Sequence, residues 1–401
     1  MSERTFTYVI VGTGEAGASA VEGIRERDAN GSILLIGDEK HLPYERPPLS
    51  KQLWFGKTKV NDIFIHDQNY YDQHGVTVSL GLKVASLDPQ GRTVTDANGD
   101  IYRFDKLLLA TGVEPRKLSV PGGDLEEVCY YRTVDDYFRI QEQAKKAKSA
   151  LIIGGGFIGS ELAAALSLAL EEVTLIFPGA YLCSRVFPES LGQKLQSQYR
   201  ARGVRVLNSE MPVSISKSSS GFHTDTSAGK SVHTDIVIVG IGTTPSIDLA
   251  KAAGLDTGDG ILVNECLETS RPGIYAAGDN AFFPYSALGQ RMRIEHWDNA
   301  LNQGKLAGRN MAGAQEPYTY IPYLFSDLFE FGYEAVGNVS TKLETFADWK
   351  KEDETSVIYY LADGKVRGVM MCNVWGKVEA ARQLIRKGES VSPESLRGMI
   401  L

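Results

Sequence analysis

Cysteine is scarce in this 401-residue sequence, which contains only four. They are far apart, and no pair has the CxxC or CxxxxC spacing of a redox dithiol or a zinc knuckle. Free cysteine packs as a small hydrophobic residue, so we expect all four to be buried. The positions are Cys129, Cys183, Cys266 and Cys372. Isolated cysteines also indicate a reducing compartment, and we therefore expect a cytoplasmic protein.

Positive charge is in short supply as well. The chain has 42 Lys and Arg against 50 Asp and Glu, which gives a formal net charge of -8. Non-specific binding to nucleic acids depends on basic residues that neutralise phosphates, so DNA and RNA are not expected partners. The six histidines form neither an HExxH motif nor an HxxxH pair, and we expect no metal site.

Long hydrophobic runs are almost absent. Residues 149–170 (SALIIGGGFIGSELAAALSLAL) match the length of a membrane-spanning helix, but three consecutive glycines and Glu161 interrupt them. They predict instead a buried strand, a turn and a packed helix from Ser160 to Leu170. The N-terminus has no positively charged region followed by a long apolar core, so we expect no secretory signal.

Glycine, in contrast, is abundant, with 41 residues. The first cluster is Gly12-Thr13-Gly14-Glu15-Ala16-Gly17, between an apolar strand (7–11) and a predicted helix (18–27). In a GxGxxG turn the first glycine permits the tight turn, the second admits a pyrophosphate and the third permits close helix packing. A second strand (32–36) ends at Asp38-Glu39, and Asp38 is our candidate for the ribose hydroxyls. This segment predicts a dinucleotide site.

The same pattern recurs at Gly154-Gly155-Gly156-Phe157-Ile158-Gly159, after a strand at 150–153. A repeat of this kind predicts a second nucleotide. The following strand (173–177) is succeeded by Pro178-Gly179, where a ribose-binding acid is expected, and no arginine cluster suggests a 2′-phosphate. NADH is favoured and NADPH remains possible.

Three further segments end in small residues. Residues 106–112 and 235–242 read as buried strands that return from inserted sheets, and 273–279 places Asp279 after a glycine. Asp279 is suited to binding a sugar or ribityl hydroxyl.

These motifs together resemble the FAD-dependent pyridine nucleotide-disulfide oxidoreductase superfamily. The similarity rests on GTGEAG (12–17), GGGFIGSELA (154–163) and IYAAGDN (274–280). Residues 41–51 (HLPYERPPLSK) and 293–300 (RIEHWDNA) are similar to the ferredoxin and rubredoxin reductases and to the apoptosis-inducing factor branch.

The resemblance implies a set of cofactor-binding residues. Those that would hold FAD are Gly12, Gly14, Gly17, Asp38, Arg46, Lys51, Val84, Thr111, Gly112, Arg132, Asp279, His296 and Trp297. Those that would lie along the nicotinamide nucleotide are Gly154, Gly156, Gly159, Glu161, Gly242 and Glu295, with Phe157 shielding the flavin. At Phe325 relatives usually have a tryptophan against the flavin. His296 could instead be a core histidine bonded to backbone.

Lys51 and Glu161 are the candidate catalytic residues. An ammonium near flavin N5 would stabilise the reduced flavin, and the carboxylate would orient that ammonium. The alternative is that Lys51 is a surface cation and Glu161 only a favourable acid in the first turn of a helix.

Disulfide reductases of the superfamily have a reactive cysteine early in the FAD domain, whereas this chain has Ser50 in the matching region. Electrons must therefore leave the flavin by another route.

The C-terminal part reads as a separate domain. Aromatic residues are dense over 320–331, and strands at 357–361 and 366–371 flank an Asp-Gly turn. A helix is expected at 377–386. Its basic side chains could dock an acidic partner or simply form a solvated face. They are Lys377, Arg382, Arg386 and Lys387.

The expected fold is α/β and glutathione-reductase-like, with two Rossmann-type three-layer domains and a small α+β C-terminal interface domain. An FAD-binding domain (1–113 and 241–319) would be interrupted by the NAD(P)H-binding domain (114–240) and followed by the interface domain (320–401).

The expected activity is electron transfer from NADH through FAD to a small ferredoxin or rubredoxin. An NADH redox sensor like apoptosis-inducing factor, or a reductase of a quinone or other small oxidant, is the alternative. The protein could be a monomer or a homodimer.

Overall fold

A computed structural model describes residues 2–352 and 354–400. Elements are numbered in chain order. The strands are β1 (Glu3–Val11), β2 (Ile33–Ile36), β3 (Val76–Ser79), β4 (Val84–Asp88), β5 (Thr93–Asp96), β6 (Ile101–Leu109), β7 (Val113–Pro115), β8 (Cys129–Tyr130), β9 (Ser149–Ile153), β10 (Glu172–Phe177), β11 (Val204–Asn208), β12 (Pro212–Ser218), β13 (Gly221–Thr226), β14 (Ser231–Thr234), β15 (Ile236–Val239), β16 (Thr243–Pro245), β17 (Ile261–Leu262), β18 (Ile274–Ala276), β19 (Ala281–Tyr285), β20 (Gln290–Met292), β21 (Tyr323–Leu328), β22 (Phe331–Gly337), β23 (Glu344–Lys351), β24 (Thr355–Ala362) and β25 (Lys365–Cys372). The helices are α1 (Glu15–Arg25), α2 (Gln68–Gln73), α3 (Val134–Ala144), α4 (Phe157–Leu166), α5 (Glu189–Ala201), α6 (Asp248–Ala252), α7 (Trp297–Met311) and α8 (Val378–Lys387).

The chain divides into two compact units. Unit 1 comprises the residues up to Glu45, Lys59–Glu114 and Pro245–Pro322, and unit 2 comprises Arg46–Thr58, Pro115–Thr244 and the residues from Tyr323 onward. The chain therefore crosses between the units near the boundaries predicted at 113, 240 and 319. The sequence did not predict that Arg46–Thr58 belongs with the later segments. The assignment of the parts to FAD and NAD(P)H binding stays a prediction.

Unit 1 is built on a parallel sheet with the strand order β3-β2-β1-β6-β18, to which β4 and β5 add an antiparallel extension along β6. The residues of β2 are all buried, because helices and loops cover both faces of the sheet, as is typical of parallel sheets. Helices α1 and α7 pack closely on each other. A Cβ at Gly304 would lie 2.3 Å from the Ala16 carbonyl oxygen, and one at Gly308 would lie 2.2 Å from that of Ala20. Glycine is needed here for close approach.

Unit 2 contains a second parallel sheet, ordered β11-β10-β9-β15-β8. The antiparallel sheet β12-β13-β14 packs against it, and apolar residues of both sheets, including Leu151, Val237 and Phe222, form one buried core. The C-terminal residues form a five-stranded antiparallel sheet ordered β21-β22-β25-β24-β23, with α8 against β22 and β25. The predicted Asp-Gly turn is confirmed, since Asp363 and Gly364 have φ of 53° and 67° and join β24 to β25.

Two predicted helices start earlier than expected. Helix α1 begins at Glu15 and α4 at Phe157, inside the glycine motifs, because the third glycine of each motif already lies in the first turn. Helix α4 ends at Leu166, four residues before the predicted end, and tight turns lead into β10. Among the described residues no helix has the length and hydropathy needed to cross a membrane.

Candidate functional site

The first glycine motif forms an open cradle in unit 1. Gly12 has φ of 121°, and a Cβ there would lie 2.1 Å from the Ala110 carbonyl oxygen. A Cβ at Gly17 would lie 2.0 Å from the carbonyl oxygen of Gly12, so both positions require glycine. At Gly14, in contrast, no atom of the described residues other than Gly14 and its chain neighbours lies within 4 Å of where a Cβ would be. This space lies at the N-terminus of α1, where backbone N–H groups favour an anion, and it suits a pyrophosphate.

The end of β2 carries the acids predicted for a ribose. Asp38 is exposed, while the carboxylate of Glu39 accepts a hydrogen bond from the Tyr44 hydroxyl. The chain that leads into β4 passes this point, because the amides of Gly81 and Leu82 donate to the carbonyl oxygens of Glu39 and Gly37. Val84 is the first residue of β4 and is buried. The local structure therefore adds Glu39 as a candidate beside Asp38.

A polar cluster follows the C-terminal ends of β6 and β18. The Thr111 hydroxyl donates to the Ser246 carbonyl oxygen at 2.6 Å, and Asn280 Nδ2 donates to Thr111 Oγ1 at 2.9 Å. Gly112 has φ of 64°, and Asp279 is half-buried beside Asn280. Within residues 2–352 and 354–400, buried Asn280 Oδ1 and Gln303 Nε2 have no hydrogen-bond partner. Such buried polar atoms fit a bound polar group, as FAD would supply.

His296 and Trp297 lie at the start of α7, also in unit 1. Among the residues that the structure describes, none offers a hydrogen-bond partner to His296 Nδ1. The role of His296, at the flavin or as a core histidine, stays a prediction. Burial lowers the pKa of His296 to about 4, and its imidazole is neutral at pH 7. Glu295 is exposed and pairs with Arg293, with 2.5 Å between Oε1 and Nη1.

Glu15 is a residue that the sequence reasoning missed. Its Oε2 accepts a hydrogen bond from Trp297 Nε1 at 2.8 Å, and its Oε1 lies 3.3 Å from the Ser19 hydroxyl. Burial raises the pKa of Glu15 to about 7 despite these donors. A carboxyl group that titrates near neutral pH thus lies directly after Gly14. The available signal was an acid in the variable position of GxGxxG, next to the predicted anion site.

The second glycine motif repeats the first in unit 2. Gly154 has φ of 128°, with 2.2 Å between a hypothetical Cβ and the Gly240 carbonyl oxygen. A Cβ at Gly159 would lie 1.8 Å from the Gly154 carbonyl oxygen, so this position also requires glycine. A Cβ at Gly156 would meet no atom of the other described residues within 4 Å. Gly242 is exposed with φ of 100° and accepts a hydrogen bond from the Arg116 amide. The chain therefore holds two cradles of one geometry, each of which suits a dinucleotide.

Lys51 and Glu161 form a buried ion pair in unit 2. Lys51 Nζ lies 2.8 Å from Glu161 Oε1, and the side chains are 8% and 3% exposed. The carboxylate also accepts hydrogen bonds from the hydroxyls of Ser50 and Ser326. Three donors from two chain segments thus fix one carboxylate, which in turn fixes one ammonium. The alternative of a surface cation is wrong for Lys51.

Aromatic rings lie around this ion pair. Lys51 Nζ lies 5.7 Å from the ring centroid of Phe325, within the range of a cation–π contact. Phe157 precedes Glu161 by one turn of α4, and its ring centroid lies 6.2 Å from that of Tyr333. Phe157 and Phe325 are both partly exposed. Phe325 thus lies against the ammonium of the ion pair, and Phe157 lies one helical turn from its carboxylate.

Arg46 and Arg132 also meet in unit 2. Arg46 Nη1 donates to the Arg132 carbonyl oxygen at 2.9 Å, and the Arg132 amide donates to the Asp136 carboxylate at 3.0 Å. The sequence reasoning placed Arg46 with residues 1–113, whereas its segment packs with the later residues in unit 2.

Three of the four cysteines are buried as expected, and one is not. Cys129, Cys183 and Cys372 are buried, and burial raises the pKa of Cys183 and Cys372 to about 12, so these thiols stay protonated. Cys266 is only half-buried, and the prediction of burial was wrong there. It follows Asn264 in a turn, where the Asn264 side chain accepts the Cys266 amide at 2.9 Å.

The chain is similar to known proteins over almost its full length. The family model "Pyridine nucleotide-disulphide oxidoreductase" matches residues 6–304, and "Apoptosis-inducing factor, mitochondrion-associated, C-term" matches 307–357. Apoptosis-inducing factor 1, mitochondrial, of Dictyostelium discoideum is 35% identical over 96% of this chain and 79% of its own length. The ferredoxin–NAD(+) reductase component of the anthranilate 1,2-dioxygenase system of Burkholderia cepacia is 33% identical over 97% of this chain and 96% of its own.

A solved structure agrees. The chain matches one in the covalent putidaredoxin reductase–putidaredoxin complex with a TM-score of 0.91 and 30% identity, over 98% of this chain and 95% of that one. The expected fold class is thereby confirmed. The chain is a flavoprotein oxidoreductase that uses FAD and NAD(H), and the two cradles and the unpartnered polar atoms fit these cofactors. On this evidence it belongs to the pyridine nucleotide-disulphide oxidoreductase family.

Proposed function

We propose that this protein takes a hydride from NADH and passes the electrons, through FAD, to a small iron–sulfur carrier protein such as a ferredoxin or rubredoxin. One observation carries the proposal: the chain has two dinucleotide cradles but no pair of thiols suited to carry electrons. Cys129, Cys183 and Cys372 are buried, and Cys266 is remote in sequence from both glycine motifs. Without a dithiol relay, the electrons need an external acceptor. Ferredoxin is the acceptor named for the relative from Burkholderia cepacia, and putidaredoxin is the protein bound in the solved complex.

The residues divide between two cofactors in this proposal. The cradle of Gly12, Gly14 and Gly17 would bind the FAD pyrophosphate, and that of Gly154, Gly156 and Gly159 would bind the pyrophosphate of NADH. The remaining residues proposed to contact FAD are Asp38, Arg46, Val84, Thr111, Gly112, Arg132, Asp279, His296 and Trp297, with Gly242 and Glu295 proposed for the nicotinamide nucleotide. The absence of a basic cluster after β10 favours NADH over NADPH.

Flavin chemistry converts a two-electron hydride donor into a source of single electrons. The protein's part is position and electric field. Glu161 is held by three donors and keeps the Lys51 ammonium in one place, so a positive charge is ready where negative charge develops. Phe325 lies over the Lys51 ammonium, and the two charged side chains are only 8% and 3% exposed, which strengthens the field of the ion pair.

The proposed docking surface for the carrier is α8 with the preceding turn. Lys377 and Lys387 are exposed, whereas Arg382 is 13% exposed and lies over the Tyr323 ring. Trp375 is 53% exposed and adds a large aromatic contact. Basic side chains around an aromatic residue suit an acidic protein partner, although the chain as a whole is acidic.

The test is NADH-dependent reduction of cytochrome c with and without added [2Fe-2S] ferredoxins and a rubredoxin. We expect a carrier to raise the rate, and ferricyanide to be reduced without one. A protein that reduces ferricyanide but is stimulated by no carrier would contradict the proposed acceptor.

For the docking surface, Lys377→Glu with Lys387→Glu should lower kcat/KM for the carrier several-fold and leave the ferricyanide rate unchanged. Lys251→Glu in unit 1 is the matched control and should change neither.

The second candidate is an NADH redox sensor. The match of residues 307–357 to the apoptosis-inducing factor model and the 35% identity to the Dictyostelium discoideum protein favour it. A sensor should hold a long-lived charge-transfer complex and change its oligomeric state with NADH. Anaerobic titration with NADH, monitored by long-wavelength absorbance and followed by size-exclusion chromatography, distinguishes the sensor from the reductase. Rapid reoxidation without a change in size favours the reductase.

We also propose that the protein works in the cytoplasm. The cysteines are free, and no pair of them is bridged in the described residues. This is usual for proteins in reducing compartments. Fractionation of cells that express the protein, followed by immunoblotting, tests the proposal.

A further inference from the structure

A pair of histidines lies on the outer face of the β12-β13-β14 sheet in unit 2. His223 of β13 and His233 of β14 are directly opposite each other in the antiparallel register. Their neighbours along the strands, Phe222 and Val232, point to the opposite face and are buried in the core. The alternation of a strand thus places both imidazoles on the solvent side, where substitution leaves the core intact.

The two rings already approach each other closely. His223 Nδ1 lies 3.1 Å from His233 Nε2 and 3.4 Å from His233 Nδ1, and the ring centroids are 4.4 Å apart. Two imidazole nitrogens bound to one tetrahedral zinc ion at 2.0–2.1 Å lie about 3.3 Å apart. The observed separation of the nitrogens therefore matches that of two ligands of one metal ion, and a rotation of the rings out of their T-shaped contact would turn both lone pairs toward it.

A carboxylate orients the first of these rings. Asp225 Oδ1 lies 3.0 Å from His223 Nε2. The hydroxyls of Ser214 and Ser231 donate to the same carboxylate at 3.0 and 2.7 Å, which holds it in place. A carboxylate at Nε2 favours a proton on Nε2, so that Nδ1 is the ring nitrogen available to a metal ion, and Nδ1 faces His233. Carboxylates play this part behind metal-bound histidines in many proteins.

We propose that His223 and His233 form a surface site for a divalent transition-metal ion of the zinc, nickel or copper class. The ligands are Nδ1 of His223 and the nearer ring nitrogen of His233, with water in the other positions. Asp225 is a positioning residue. Within residues 2–352 and 354–400 no group of three or more His, Cys, Asp or Glu side chains is arranged around a metal position, so the site is bidentate. Imidazole ligands select this class of metal over magnesium or calcium.

The sequence test for metal sites could not find this pair. HExxH and HxxxH describe ligands that meet on one helix, whereas these histidines are ten residues apart and meet only because β13 and β14 pair. A metal ion here would link two adjacent strands and stabilise the sheet. The site does not depend on the identity of the electron acceptor.

The experiment is titration of the untagged, FAD-loaded protein with ZnCl2 in a non-chelating buffer at pH 7.5, followed by calorimetry. We expect one site with an affinity in the micromolar range, and a rise in melting temperature with Zn2+. His223→Ala and His233→Ala should each weaken binding tenfold or more and abolish the rise, and Asp225→Asn should weaken binding about tenfold.

Ser216→Ala is the matched control, since Ser216 faces His223 from β12. It should leave the isotherm unchanged. Binding that persists in both histidine variants overturns the proposal, and so does equal loss in Ser216→Ala. Absorption of bound FAD and circular dichroism check that each variant is folded, so that a loss of binding is read from folded protein.

Discussion

The helices that follow the two glycine motifs differ less in backbone than in the side chains that follow the glycines. Gly14 caps α1 with φ and ψ of -95° and -167°, and Gly156 caps α4 with -88° and -166°. Each cradle leaves open space at its second glycine, yet the glutamates of the two helices differ, since Glu15 is half-buried and Glu161 is buried. Glu15 on α1 has hydrogen-bond donors but no ion pair with any residue that the structure describes, whereas Glu161 on α4 is paired with Lys51. One backbone motif thus supports two electrostatic environments.

The largest expected effect comes from filling the cradles one at a time. Gly14→Ala should cut the affinity for FAD tenfold or more, because its Cβ meets no protein atom and occupies only the space proposed for the pyrophosphate. Gly156→Ala should do the same for NADH and leave FAD bound. Flavin fluorescence and NADH titrations measure both. If either substitution affects both cofactors equally, the assignment of one cradle to each cofactor is wrong.

The next effect concerns the ion pair of α4. Lys51→Ala should slow flavin reduction by NADH at least several-fold in stopped-flow experiments while FAD stays bound, because the positive charge at the site is lost. Lys57→Ala, in the same segment but exposed, is the control. Unchanged reduction kinetics in Lys51→Ala would remove this ion pair from the catalytic mechanism.

The smallest effect concerns the carboxyl group of α1. The folded protein holds the Glu15 proton more tightly than the unfolded chain does, with a pKa of about 7 against 4.5. The free energy of unfolding contributed by this group therefore falls as pH rises from about 4.5 to 7. Glu15→Gln cannot titrate and does not suffer this loss. The free energy of unfolding of the variant minus that of the wild type should therefore be larger at pH 8 than at pH 4.5, by on the order of 1–3 kcal/mol.

Urea unfolding of the FAD-loaded protein at the two pH values measures this difference. Glu26→Gln is the control, because Lys305 hydrogen-bonds that carboxylate and holds its pKa below the usual range. Its stabilising contribution is lost as pH falls, which is the opposite sign. If Glu15→Gln has the same effect at both pH values, Glu15 does not titrate in this range.

Much of the fold was predictable because it depends on local pattern. The short apolar runs of β1 and β9 and the glycines after them indicated both Rossmann starts, and the Asp-Gly turn indicated the hairpin of β24 and β25. The local sequence pattern does not predict how exposed a residue in a loop is, and the expectation that Cys266 is buried was therefore wrong. It was also insufficient for Glu15, whose environment depends on Trp297, 282 residues away.

The sequence by itself determined the two glycine cradles, because only glycine permits their positive φ angles and close contacts, and those requirements are local. Tertiary structure decided which charges are enclosed and paired. Lys51, Glu161 and Ser326 are remote in the chain, as are Trp297 and Glu15, and His223 meets His233 only across a strand pair. Burial and pairing arise from packing between distant segments, and the free energy of a charge depends on that packing.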